Sequence, residues 1–191
     1  TGTTEDDSSF GISSTSDGSI YITGYTFGNI DEETNAGGRD GFLSKYLSDG
    51  TKVWTKILGS SGDDDSLSIS TDSDNNIYIT GYTSDYFDEE TNAGGRDGFL
   101  SKYLSDGTKV WTKLIGGTGN EISFGITTDN DNYIYITGYT SGYLDGEANK
   151  GQRDGFLSKY LSDGTKVWTK LIGGTGNDES MKITTSRNGI Y

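Results

Sequence analysis

The sequence predicts an all-β fold in which four-stranded antiparallel sheets recur along the chain. The main observation is a 57-residue repeat, because nearly identical copies start at Ile20, Ile77 and Ile134. Apolar residues in the repeat lie two positions apart, as Phe10 and Ile12 do, and that is the period of a β-strand. The chain contains 30 Gly and no Pro, which favours tight turns and leaves every backbone N–H free for strand pairing.

Four strands are predicted in each unit. In the first unit they cover residues 10–14, 20–26, 41–47 and 51–58, and the first strand recurs at 67–70, 124–127 and 181–184. A polar turn joins the first two strands, and a long loop over about residues 27–38 joins the second to the third. Ser48-Asp49-Gly50 joins the last two, and Asp-Gly between apolar runs is a strong hairpin signal.

Strands three and four carry apolar side chains on both faces. Phe42 and Tyr46 are expected on one face, Leu43 and Leu47 on the other, and Val53 opposite the Trp that follows it. A sheet that is apolar on both faces has to be covered on both, and neighbouring copies stacked face to face would cover it. Four-stranded sheets stacked in this way are the blades of a β-propeller.

The units divide the chain into three whole blades and the start of a fourth. The predicted boundaries are 1–58, 59–115, 116–172 and 173–191. Closed propellers contain about 4–8 blades, so three blades do not complete a ring. We therefore expect either further blades in a longer parent chain or self-association of this chain to close a ring.

The composition argues against several classes of function. A net charge of −14 disfavours binding to nucleic acid and to anionic membranes, because both attract clustered Lys and Arg. No apolar run approaches the ~18 residues of a membrane span, so no membrane insertion is expected. The chain has neither Cys nor His, and therefore offers no thiolate nucleophile and no imidazole base. We expect no catalytic residues and no cofactor.

The repeat resembles the bacterial β-propeller repeat family known as SBBP. The positions that carry the resemblance are Gly117, Glu121, Ile126, Asp129-Asn-Asp131, Ile134–Thr140, Asp154-Gly-Phe156, Lys159 and Gly173-Gly174. The resemblance covers the whole chain. It implies a propeller fold, a place in large secreted or cell-surface proteins, and no catalytic residues, because scaffold positions define the family.

The long loop between the second and third strands is the segment that most resembles a binding site. It is acidic and variable beside an unchanging frame, as binding loops are. The candidate residues are Asp31, Glu32 and Glu33, with Asp88, Glu89 and Glu90 in unit two and Asp145 and Glu147 in unit three. In a propeller these loops share one face with the connections between blades, so the acids are expected to gather there. A solvated face without a ligand is the alternative.

A second acidic position precedes the first strand of each unit. Its residues are Asp7, Asp64, Glu121 and Asp178. A carboxylate there can accept backbone N–H bonds in the Gly-rich bend between blades. The alternative is a cation site, with calcium as the cation, at Asp63, Asp64 and Asp65. Asp72-Ser-Asp74 also resembles the start of a calcium loop, but unit one has Thr15 in place of the first Asp, which favours turn chemistry.

Two further sets of residues recur without change and have two interpretations each. Arg39-Asp40 offers a ligand anchor, but its repetition beside Gly41-Phe42 favours an ion pair or hydrogen bond between blades. Trp54, Trp111 and Trp168 offer platforms for sugar rings, but each lies in a strand packed on both faces, which favours packing between blades.

These observations predict a non-catalytic propeller scaffold of an extracellular or cell-surface protein, serving assembly, spacing or adhesion. A multivalent carbohydrate-binding module is the alternative, since one weak site per blade gains avidity from repetition. The expected partners are further blades, a second copy of the chain, or a glycan or protein ligand. An enzyme would need paired carboxylates in a pocket, and blades that hardly differ are poorly suited to build one.

Overall fold

The computed structural model describes residues 3–186 and 189–191, and these residues form β-strands and no helix. Accordingly, the described part of the chain contains no helix long and apolar enough to cross a membrane. Blade 1 consists of β1–β4, which cover Asp7–Ser14, Ile20–Thr26, Asp40–Tyr46 and Lys52–Leu58. Blade 2 consists of β5–β8, which cover Asp64–Thr71, Ile77–Thr83, Asp97–Tyr103 and Lys109–Ile115. Blade 3 consists of β9–β12, which cover Glu121–Thr128, Ile134–Thr140, Asp154–Tyr160 and Lys166–Ile172.

Each blade is a four-stranded antiparallel sheet whose strands lie side by side in chain order. The predicted all-β fold of propeller blades is therefore confirmed. The first strands begin earlier than predicted, because Asp7 and its copies pair with the last residue of the second strand, Thr26 in blade 1. Residues 181–184 were predicted to be a strand but lie outside the strands, although Thr184 forms two backbone hydrogen bonds with Tyr191 (both 2.8 Å). Two short strands follow, β13 at Thr185–Ser186 and β14 at Gly189–Ile190.

Neighbouring blades pack face to face, so each blade has a leading face toward the preceding blade and a trailing face toward the following one. The cluster between blades 1 and 2 contains Tyr21, Leu43 and Leu58 from the trailing face and Ile69, Ile77, Ile79, Phe99 and Tyr103 from the leading face. The residues that occupy the same positions one repeat later form the cluster between blades 2 and 3. Burying each side chain of this size stabilises the fold by about 1.5–3 kcal/mol, so these clusters hold the stack together.

The first strand of each blade lies at the centre of the stack, where hydroxyl groups link one blade to the next. Thr71 Oγ1 donates to the backbone oxygen of Ser14 (3.2 Å), and Thr128 Oγ1 donates to that of Thr71 (2.9 Å). Thr185 Oγ1 donates in the same way to Thr128 (2.8 Å). A ladder of hydroxyl bonds therefore runs from blade 1 into the residues that follow blade 3.

Two apolar positions that were predicted to pack between blades are exposed instead. Leu47 and Val53 are 44% and 49% exposed, and their copies in blades 2 and 3 are also exposed. Leu47 lies beyond the end of β3, in the hairpin turn. Val53 has no partner in the ladder, because Lys45 pairs with Trp54 and Tyr46 with Lys52. This bulge turns the Val53 side chain outward, away from both neighbouring blades.

Candidate functional site

The acidic loop of each blade folds back over its own sheet. In blade 1, Ile30 is 2% exposed and forms two backbone hydrogen bonds with Glu33 across a tight turn (3.1 and 2.9 Å). Asp31 and Glu32, inside this turn, have φ angles of 50° and 70°, which is the left-handed region. The anchors equivalent to Ile30 are Phe87 and Leu144, both buried. The loop is therefore a fixed part of the blade, which the sequence analysis missed.

Two of the acids in each loop pair with lysines of the fourth strand. Asp31 contacts Lys52 and accepts a hydrogen bond from Thr55 Oγ1 (2.5 Å), and Glu33 Oε1 lies 2.6 Å from Lys56 Nζ. The hydrogen bonds from Lys52 and Thr55 lower the pKa of Asp31. The equivalent pairs are Asp88–Lys109, Glu90–Lys113, Asp145–Lys166 and Glu147–Lys170. These acids lie against the fourth strand and not at the connections between blades.

The remaining acid of the loop is the one that faces solvent. Glu32 and Glu89 are exposed, and their side chains form no hydrogen bond or ion pair within the described part of the chain. Blade 3 has Gly146 at this position, with a φ of 84°. The acids kept in all three copies are thus the ones that pair with lysine, and the variable one is unpaired. Ligand binding by these loops stays a prediction.

Asp63, Asp64 and Asp65 have different surroundings although they are adjacent. Asp64 is fully buried, and its Oδ2 accepts hydrogen bonds from the backbone N (2.6 Å) and Oγ (2.9 Å) of Ser60. Asp65 accepts one from the Tyr82 hydroxyl (2.9 Å), and Asp63 accepts one from the backbone N of Arg39 (3.2 Å). No group of three or more Asp, Glu, His or Cys within the described residues is arranged to hold a metal ion. Calcium binding here stays a prediction.

The hydrogen bond predicted in the Gly-rich bend is present in all four units. In each, a carboxylate oxygen accepts from the backbone N–H four residues earlier: Thr3 to Asp7, Ser60 to Asp64, Gly117 to Glu121 and Gly174 to Asp178. Asp40 forms the same arrangement with the backbone N of Ala36 (2.5 Å). The role of Asp40 is thus to close the bend before the third strand, and the constant spacing of Asp three residues after Gly was the signal for it.

Burial changes the protonation of these carboxylates. Asp40 is fully buried, and burial raises its pKa to about 6, with a further contribution from the nearby Asp64. Burial likewise raises the pKa of Asp64, Asp97 and Glu121. Oδ1 of Asp40, Asp64 and Asp97 has no hydrogen-bond partner among the described protein groups. The bends between blades are therefore places where the folded chain takes up protons more readily than the unfolded chain.

Arg39 joins blade 1 to blade 2, as the sequence predicted. Its Nη2 donates to the Tyr82 hydroxyl (2.8 Å), and its Nη1 lies 3.3 Å from Asp65 Oδ2. The guanidinium also stacks on the ring of Tyr25 in its own blade, 5.0 Å from the centroid. This geometry uses the planar donor group of Arg for contacts between blades and leaves little of it for a ligand.

The tryptophans and a lysine also connect neighbouring blades. The indole ring of Trp54 lies against Gly107 in the hairpin of blade 2, where an added Cβ would be 3.2 Å from Cε2. Trp111 lies against Gly164 in the same way. Lys45 Nζ donates to the backbone oxygen of Ser105 (2.9 Å). The first two Trp rings are therefore half-buried, with one part of each ring packed against the next blade.

A shallow concavity of about 430 Å³ lies where the turns between the first and second strands of the three blades meet. Its lining is polar and includes Asp72 and Asp129. The Asp72 carboxylate accepts hydrogen bonds from the backbone N of Asp74 and Asn76 and from the Tyr78 hydroxyl. It therefore closes a turn, and its resemblance to a calcium loop reflects turn geometry.

The fold and its junctions define a repeat protein made of stacked β-propeller blades. The family model SBBP, described as a beta-propeller repeat, matches residues 53–88 and 110–144. Residues 53–88 and 110–144 therefore match SBBP-type beta-propeller repeats, as the sequence resemblance predicted.

Two curated relatives match most of the chain at low identity. An uncharacterized WD repeat-containing protein of Acanthamoeba polyphaga mimivirus is 27% identical over 175 residues, which are 77% of this chain and 13% of that protein. The regulatory protein FlaEY of Caulobacter vibrioides is 25% identical over 188 residues, which are 87% of this chain and 20% of that protein. The chain thus spans a fifth or less of the length of these relatives.

Proposed function

We propose that the chain is a non-catalytic scaffold that holds its blades in a fixed stack, as part of an extracellular or cell-surface protein in which it serves assembly, spacing or adhesion. One observation carries the proposal: the repeated polar and aromatic side chains are used within the stack. Asp31 pairs with Lys52, Arg39 with Asp65, and Trp54 packs on Gly107. The location is supported by the resemblance to SBBP repeats.

A scaffold of this kind requires that the blades keep a fixed relative position. Apolar clusters, hydroxyl bonds along the inner strands and the Lys45–Ser105 bond all join consecutive blades. Because these contacts are spread from the centre to the outer hairpins, we expect the three blades to move as one body.

Spin-label distances test this expectation directly. The chain has no Cys, so Thr51→Cys and Thr165→Cys place one exposed label in blade 1 and one in blade 3. A scaffold gives a distance distribution as narrow as that of the control pair Thr34→Cys and Thr51→Cys, which lies within blade 1. A much broader distribution between blades than within the blade contradicts the proposal.

A carbohydrate-binding module is the second candidate, because repetition would multiply a weak site. The repeated aromatic position is held by Trp54, Trp111 and Trp168, one in each blade. A glycan array with the chain and with Trp168→Ala distinguishes the candidates. Binding that is lost in the variant supports a lectin, and the absence of binding supports the scaffold.

A further inference from the structure

A concavity of about 510 Å³ lies at the outer edge of blade 1, where the acidic turn meets the fourth strand. Residues 31–33 and 52–56 line it. Its volume is within the range of about 300–1,000 Å³ that small-molecule sites occupy. All of the lining residues belong to blade 1, so a single blade builds the whole concavity.

The same surface is open to a similar degree in all three blades. The Val53 position is 49%, 48% and 48% exposed in blades 1, 2 and 3, and the Trp54 position is half-buried in each. The side chain at the Lys52 position is 37%, 43% and 42% exposed. Blade 2, which packs against a blade on each side, is as open here as the other two. The surface is therefore a property of the blade itself.

Val53 and the exposed part of the Trp54 ring form the apolar part of the concavity. The bulge in β4 turns the Val53 side chain outward, immediately before Trp54. One part of the Trp54 ring packs against Gly107, and the half-buried ring leaves its other part at the surface. An aliphatic side chain beside an aromatic ring matches the C–H face of a pyranose sugar in shape and polarity.

The ion pairs around this apolar surface hold hydrogen-bonding groups in fixed positions. Asp31 contacts Lys52 and accepts a hydrogen bond from Thr55 Oγ1, and Glu33 Oε1 lies 2.6 Å from Lys56 Nζ. A lysine ammonium has three donors and a carboxylate about four acceptor positions, so each pair keeps capacity for a ligand. A sugar hydroxyl both donates and accepts, and therefore suits an ammonium beside a carboxylate.

We propose that each blade binds one pyranose sugar in this concavity, with the C–H face of the ring on Val53 and Trp54 and the hydroxyls on the two ion pairs. Blades 2 and 3 use the equivalent residues. The inference rests on the adhesion role in the proposed function, because a rigid stack presents its outer edges at a fixed spacing. One glycan chain that reaches several blades gains avidity from sites that are weak individually, each with a Kd of about 1 mM.

The tryptophans allow each site to be observed separately. The chain has three Trp, one in each blade, so a nitrogen-labelled sample gives one indole N–H NMR signal per site. Glucose, galactose, mannose, N-acetylglucosamine and glucosamine are added one at a time, at concentrations well above the expected Kd. At least one of these sugars should shift all three signals along a saturating curve. A chain in which none of them shifts any indole signal overturns the proposal.

Val53→Glu should remove the site of blade 1 and leave the other two intact. The substitution places a charge on the apolar surface, and the exposure of Val53 keeps it out of the core. The Trp54 signal should stop responding to the sugar, while the signals of Trp111 and Trp168 shift as before and show that the fold is preserved. A Trp54 signal that still shifts as strongly as the other two overturns the assignment of the site.

Ser16→Glu is the matched control, because it adds the same charge to an exposed residue of blade 1 in the turn between β1 and β2. All three indole signals should respond in this variant, and loss of the Trp54 response here as well would contradict a site at Val53. The spin-label distances are measured without sugar. Blades that move as one body but bind no sugar therefore refute this inference alone, whereas a broad distance distribution refutes the scaffold.

Discussion

The two interior junctions of the stack share their apolar side chains but differ in the polar groups beside them. Between blades 1 and 2, Arg39 pairs with Asp65 and lies 3.6 Å from Asp63. Between blades 2 and 3, the corresponding acidic positions hold Ile122 and Asn120, and Arg96 stacks on the ring of Tyr82 at 4.7 Å. Ile122 instead packs in a small cluster with Tyr82 and Tyr139.

This difference indicates that the apolar faces determine how blades stack, and that the polar or apolar groups beside these faces are interchangeable. A buried ion pair loses much of its Coulomb energy to desolvation, so an apolar contact of similar volume can replace it without loss of stability. Removing one partner alone is different, because it leaves a buried charge without compensation.

The largest expected effect follows from removing the arginine at each junction. Arg39→Ala leaves the Asp65 carboxylate, whose side chain is 7% exposed, without its ion pair, and should lower the free energy of unfolding by about 3 kcal/mol. Arg96→Ala loses mainly a stacking contact and should lower it by about 1 kcal/mol. Urea unfolding of both variants measures the difference. Equal losses of unfolding free energy would show that the ion pair stabilises the fold no more than the stacking contact does.

The next effect is a dependence of stability on pH that the buried carboxylates of both junctions share. Burial raises the pKa of Asp40 to about 6 and also raises that of Asp97. The folded chain therefore binds more protons than the unfolded chain between about pH 4 and pH 6, and the free energy of unfolding should increase as the pH falls from 7 to 5. Urea midpoints across this range measure it.

Asp40→Asn combined with Asp97→Asn is the control for that pH dependence. The neutral amides remove two of the titrating groups, so the increase in stability between pH 7 and pH 5 should become smaller. A chain that loses stability as the pH falls to 5, or a double variant with an unchanged pH profile, contradicts the assignment to these carboxylates.

A smaller effect should follow from exchanging Asp64 for the residue of the second junction. Glu121 accepts from the backbone N of Gly117 (2.7 Å) and from Thr140 Oγ1 (2.6 Å). Oδ1 of Asp64, one methylene shorter, has no hydrogen-bond partner among the described groups, although Thr83 lies near enough to lower the pKa of this carboxylate. Asp64→Glu should therefore stabilise the chain by about 1 kcal/mol, measured by urea unfolding. The increase in unfolding free energy should disappear when Thr83→Val is also present, because the hydroxyl that donates to the carboxylate is then removed.

The smallest effect is expected from copying the apolar contact into the first junction. Asp65→Ile reproduces the residue found at Ile122 and leaves Arg39 stacked on Tyr25 and beside Asp63. The unfolding free energy should change by less than about 1 kcal/mol. A loss of unfolding free energy as large as that of Arg39→Ala would mean that the groups beside the apolar faces are not interchangeable between the two junctions.

Sequence reasoning identified the blades and the junction residues because both repeat at a fixed spacing. Arg39 and Trp54 never vary, and constancy beside an apolar strand indicated contacts between blades. The path of the acidic loop was not predictable in this way. Its direction depends on Ile30, an isolated apolar residue in a polar segment, and on Lys52 and Lys56, whose partners are distant in sequence. Only the recurrence of an apolar residue before each acidic turn indicated the anchor.

The identity of the blades also has a consequence for how the chain acquires its fold. β2, β6 and β10 have one sequence, and β3, β7 and β11 have another, so β2 would form the same ladder with β7 as with β3. The correct pair closes the short loop 27–39, whereas the incorrect pair closes the long segment 27–96. Closing the shorter loop costs less chain entropy, which favours the correct pair by about 1.5 kcal/mol. During synthesis, however, β3 emerges before β7 exists, so the order of translation supplies information that the strands themselves lack.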